Sequence, residues 1–133
     1  MGWVETELKG ISLGDKRLEK RAGKLLKSIG NNPEASLPEA CCGWHETKTA
    51  YRFFENNAVT SEKILKCHIE STIKRMKQHN IVLLLQDTTQ LNYSTQHQKQ
   101  GIGQLKNKHH RGILLHSTVA VTPERLCLGV VDD

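Results

Sequence analysis

The chain has 133 residues, 37% hydrophobic, 25% charged and only 5% aromatic, which predicts one domain, or two small units, built mainly on Leu, Ile and Val. Nineteen Lys and Arg against 14 Asp and Glu give a net charge of +5, which favours a polyanionic partner, most economically nucleic acid. The longest apolar run, residues 81–85, is too short to cross a bilayer, and Met1-Gly2-Trp3-Val4-Glu5 lacks a signal peptide's basic start and apolar stretch, so a cytoplasmic protein with no membrane partner is expected.

The first clear element is a helix over residues 15–29. Gly14 breaks the chain before it, and Asp15 suits both the N-cap and the positive end of the helix dipole. At about 100° per residue, Leu18, Ala22, Leu25, Leu26 and Ile29 share one sector about 100° wide. Lys16, Arg17, Lys20, Arg21, Lys24 and Lys27 share another, about 140° wide. Glu19 is the one acid within the helix and projects outside the basic sector. An unrelieved stripe of like charge costs self-repulsion; it reads either as a solvated face or as one that tracks phosphates. Gly30-Asn31-Asn32-Pro33 ends the helix.

Ser36-Leu37-Pro38-Glu39 is a capping-box pattern and starts a short helix that Gly43 stops. A further helix is expected over residues 47–55, with Ala50, Tyr51 and Phe54 facing inward. Thr60 caps the next, residues 61–79, which should bury Ile64, Leu65, His68, Ile69, Thr72, Ile73 and Met76. His68 reads as a partly buried core residue. Cys41, Cys42, Cys67 and Cys127 form no Cys-x-x-Cys pair; Cys42 with His45 and Cys67 with His68 match no standard zinc spacing, so buried free thiols are expected.

The character changes at Asn80, which divides a helical domain (1–79) from a strand-bearing one (80–133). Residues 81–85 read as a strand buried on both faces, ending at Asp87. A polar loop follows over residues 94–110; its Lys99, Lys106, Lys108, His109 and His110, with Arg111, are consistent with phosphate contact or with a solvated loop. Strands over 113–121 and 125–131 are joined by a tight turn, Thr122-Pro123-Glu124-Arg125. The expected class is α+β: helices, then three antiparallel strands.

Asp87, on a rigid strand yet open to solvent, suits a metal ligand or general base, although a lone Asp also commonly begins a turn. At this point several motifs resemble, in order, a known family. They are Leu13-Gly14-Asp15-Lys16-Arg17; Ala50-Tyr51-Arg52-Phe53-Phe54 with Asn56 and Val59; Leu85-Gln86-Asp87-Thr88-Thr89 with Tyr93; and Gly112 with Leu115-His116-Ser117 and Val121-Thr122-Pro123-Glu124. Together they resemble the N-terminal part of bacterial insertion-sequence transposases of the DDE type, in the IS-four, Tn-five-like group.

The resemblance implies a helical DNA-binding domain followed by the start of a ribonuclease-H-like core. It places Lys16, Arg17, Lys20, Arg21, Lys24, Lys27 and Arg52 at double-stranded DNA, the transposon end, and Asp87 as the first metal-binding carboxylate. In that family two Mg2+ or Mn2+ ions activate water or a DNA 3′-hydroxyl. The family also needs a later Asp and a Glu; this sequence ends before either, and Asp132-Asp133 does not match. The chain is therefore expected to behave as a truncated, non-catalytic part holding no metal stably. It would act either as a DNA-binding remnant of a transposase or as a regulator that pairs with an intact transposase subunit.

Overall fold

The computed structural model describes residues 2–96 and 98–132; Asp133, noted above, lies outside them. The chain forms two compact units, Met1–Ser71 and Thr72–Asp133, each described by itself.

The first unit contains α1 (Trp3–Glu7), α2 (Lys16–Asn31), α3 (Leu37–Cys41), α4 (Trp44–Glu55) and most of α5 (Ser61–Met76). Asp15 caps α2 as expected, its Oδ1 accepting the Arg17 N–H at 2.7 Å. The helix outlasts the predicted end by two residues and stops where Pro33 pushes Asn32 out of the helical region. Ala22 and Leu25 are buried with Leu13, Cys41, Ala50 and Phe53, whereas Ile29 sits at the rim. At α3 the Glu39 carboxylate accepts both the Ser36 N–H and its hydroxyl, each at 2.9 Å. Cys42 then adopts a left-handed conformation (φ 54°) that ends the helix.

The inward face of α4 differs from the expected one. Ala50 is buried, but Phe53 (4% exposed) takes the core position, while Tyr51 and Phe54 are about half exposed. Thr47 and Ala50 are small enough for neighbouring helices to approach, and Phe53 continues that stripe at i+3; Phe54 lies about 100° further round and meets Phe53 edge-on. Along α5, Thr60 Oγ1 accepts the Lys63 N–H at 3.3 Å. The helix buries Cys67, Ser71 and Thr72, leaves Ile73 exposed, and ends at Met76, short of residue 79. Cys42 and Cys127, expected to be buried, are exposed.

No local signal announced α1; distant contacts hold it. Ser71 Oγ donates to the Thr6 carbonyl at 3.2 Å, and His68, partly buried as expected, pairs through Nδ1 with the Glu7 carboxylate. Trp3 packs over Gly30, where an added Cβ would lie 2.6 Å from Trp3 Cη2, and Val4 packs over Gly23.

The second unit is an antiparallel sheet of β1 (Leu83–Asn92), β2 (Gly103–Gln104), β3 (Arg111–Val121) and β4 (Cys127–Asp132). Central β3 carries β1 on one edge, with β2 and β4 on the other. Together with the five helices this is the α+β class, with four strands among the described residues where three were expected, because β2 emerges inside the predicted loop. Gly112 admits no side chain: its Cβ would lie 1.8 Å from the Leu91 carbonyl oxygen. Arg75, from the end of α5, donates from Nε to the Leu128 carbonyl at 2.6 Å. The turn before β4 forms as expected, the Arg125 N–H meeting the Thr122 carbonyl at 2.9 Å.

Two expectations for β1 are corrected. The strand is not buried on both faces, since Leu84 and Leu85 are each 55% exposed. Only the end of α5 belongs to this unit, too little helix to cover a sheet face. Nor does Asp87 end the strand. It lies mid-strand opposite Ser117, because the eleven-residue β3 supplies a partner for every position from Leu83 to Asn92 and the β-branched Thr88 and Thr89 suit the pleat. One edge of β1 is unpaired among the described residues.

Candidate nucleic-acid interface

The basic sector of α2 stays at the surface because the opposite sectors are occupied. Ala22 and Leu25 face the core, while Gly23 and Gly30, seven residues apart, admit α1. That leaves Lys16, Arg17, Lys20, Lys24 and Lys27 exposed.

The six cations do not share one fate. Arg21 Nη1 reaches Glu46 Oε2 on α4 at 2.7 Å, with only 22% of its side chain exposed, so it ties two helices together. Lys16 Nζ donates to Glu19 Oε2 at 2.9 Å, while Glu19 Oε1 accepts the Leu13 N–H at 3.2 Å. The lysine hydrogen bond first, then the amide, holds the Glu19 carboxyl below the usual carboxylate range. Arg17, Lys20, Lys24 and Lys27 have no carboxylate partner among the described residues. Lys20, Lys24 and Lys27 also line a cleft of about 620 Å³ between α1 and α2, with Trp3, Val4 and Leu8. Glu5 and Glu19 line the same cleft, so its apolar floor is rimmed by three ammonium groups and two carboxylates, and it is the outer, lysine-bearing side that suits a phosphate backbone.

Arg52 lies on another helix, about 120° round α4 from Glu46. It is exposed beside Trp44 (80% exposed), Lys48 and Tyr51, with Glu55 on the same face. Sequence reading missed Trp44, Lys48 and Tyr51; their spacing of three, four and seven residues was the available signal.

Asp87 belongs to the second unit. It is exposed, and its Oδ1 accepts the N–H of Thr88 at 2.8 Å. Thr88 Oγ1 in turn meets His116 Nδ1 at 2.7 Å on the opposite face of the sheet. Asp87 pairs with Ser117 and Asp132 with Thr118, so these two acids also project from opposite faces. A two-ion centre requires several converging carboxylates. Among the described residues no three His, Cys, Asp or Glu converge, so the donors around Asp87 do not fit a two-metal centre.

An acid-poor helix face, held outward by a packed helical unit, is suited to a polyanion. Residues 1–59 match the transposase DNA-binding family. Over those residues the chain is similar to the DNA-binding part of transposases, which supports DNA as its partner. Among curated proteins no match is found. No helix among the described residues is long and apolar enough to cross a membrane.

Proposed function

We propose that this protein recognises a transposon end as duplex DNA and does not cut it unaided. The observation that carries the reading is the quartet Arg17, Lys20, Lys24 and Lys27, with no carboxylate ion-pair partner among the described residues, within a segment that matches transposase DNA-binding domains. The IS-four, Tn-five-like assignment and a ribonuclease-H-like second unit rest on the motifs around Asp87 and Gly112. A second reading, a non-catalytic regulator acting beside an intact transposase subunit, is favoured by the unpaired β1 edge with its exposed leucines. Such a subunit would supply the carboxylates for Mg2+ or Mn2+ that Asp87 alone does not.

A gel shift with end-bearing duplex tests the main reading. Lys20→Glu with Lys24→Glu should weaken binding more than the same change at Lys74 and Lys77, which lie at and beyond the end of α5. Equal losses would reduce the attraction to diffuse charge and remove α2 as the recognition element. With Mg2+ or Mn2+ the purified chain should not nick this DNA above background. Cleavage that vanishes in Asp87→Ala would overturn the non-catalytic assignment. Co-expression with an intact transposase separates the second reading: inhibited transposition supports it, unchanged transposition sinks it.

A further inference from the structure

The second unit carries a basic surface beyond the reach of the family match. Residues 88–123 contain no Asp or Glu, yet hold Lys99, Lys106, Lys108 and Arg111 and four histidines. Folding sorts these cations by use. Lys99 lies over the Tyr93 ring, 4.1 Å from its centre, and bonds Gln96 Oε1 at 3.1 Å. The Arg111 guanidinium donates to the Ile102 carbonyl at 3.3 Å, and its backbone N–H donates to Ser94 Oγ at 3.0 Å. Lys99 is therefore engaged within the loop that precedes the β2–β3 hairpin, and Arg111 braces the base of that hairpin.

Its tip is fixed as well. The Leu105 N–H meets the His110 carbonyl at 2.9 Å, and the His110 N–H meets the Asn107 carbonyl at 2.9 Å. Asn107 Oδ1 accepts the His109 N–H at 3.0 Å, and Leu105 is buried, anchoring the turn. Lys106, Lys108, His109 and His110 are left exposed, with no carboxylate partner among the described residues. A braced turn loses little conformational freedom when a ligand binds, so its charges are pre-placed.

We propose that this turn is a second DNA contact, in which Lys106 and Lys108 hold the phosphate backbone of a duplex and the two imidazoles add N–H donors. The ligand is a duplex and not single-stranded DNA because residues 105–110 carry no Phe, Tyr or Trp side chain as a stacking platform for bases. Ammonium groups on a turn grip phosphate as point charges and read no sequence. The proposal rests on the reading that the chain binds DNA, but it concerns different residues from the α2 quartet.

The test uses the full chain and a fluorescent duplex of arbitrary sequence, with anisotropy titrations between about 50 and 200 mM salt. If both lysines engage, Lys106→Gln with Lys108→Gln should make the slope of log K against log salt shallower by about 1.8. Wild type should then lose about twelvefold more affinity than the variant over that fourfold rise. The melting temperature should not move, since both side chains are exposed. An unchanged slope, with Lys20→Glu and Lys24→Glu still damaging, would overturn the hairpin contact and leave the α2 reading standing. The reverse pattern would support the hairpin and sink α2. Failure of wild type to bind any duplex would overturn both. Loss of pelleting with phosphatidylserine vesicles in the hairpin variant, at unchanged DNA slope, would assign the turn to a membrane surface and overturn the proposal.

Discussion

Neutralising the α2 cations one at a time separates those that face DNA from those the fold has already used. Four have no carboxylate partner among the described residues: Arg17, Lys20, Lys24 and Lys27. At about 0.9 per phosphate contact, the α2 share of the salt slope is near −3.6, or about a 150-fold loss of affinity when salt rises fourfold. Lys24→Gln should reduce that share to about −2.7, a loss of about 40-fold. Arg21→Gln should behave differently, because its guanidinium is held by Glu46 at 2.7 Å. Its slope should stay within measurement error of wild type. Its cost should appear in stability instead, at about 0.2–1 kcal/mol for a partly solvated pair. Anisotropy titrations over a salt series, run beside thermal melts, report both quantities. A slope change near 0.9 in Arg21→Gln with an unmoved melting temperature would refute the division, since Arg21 would then be contacting phosphate.

The remaining predictions concern packing and titration. Gly23→Ala should raise stability by about 0.5–1 kcal/mol in thermal melts, because alanine favours the helix and the new Cβ meets Val4 Cγ1 at an ordinary 3.7 Å. Gly30→Ala should gain nothing or lose stability, since its Cβ would displace the Trp3 ring. Glu19 has a depressed carboxyl, so its contribution is complete above the unfolded value and is lost as pH falls through the lower folded one. Denaturant melts on acidification should therefore decline more steeply for wild type than for Glu19→Gln; parallel curves would show that Glu19 contributes nothing. A thiol reagent near neutral pH should label Cys42 and Cys127 in the native protein, and Cys41 and Cys67 only after unfolding, since burial pushes those two thiols up.

What could be read directly was what neighbouring residues decide. Asp15, the Ser36–Glu39 capping box, Thr60 and the Thr122–Arg125 turn each close hydrogen bonds within a few positions, so residue type and spacing determine them. The basic sector of α2 followed from helical period alone. Contacts between distant residues settled the rest. The pair Arg21–Glu46 spans 25 positions and removes a cation that periodicity counts with the others. Ser71 and Thr6, 65 apart, hold a five-residue helix too short to persist alone. Phe53 outranks Phe54 because α4 turns the small Thr47 and Ala50 toward its neighbours. β1 runs through Asp87 to Asn92 because β3 is long enough to pair with it. Burial and pairing are properties of a partner surface, and the partner becomes known only when the chain is folded.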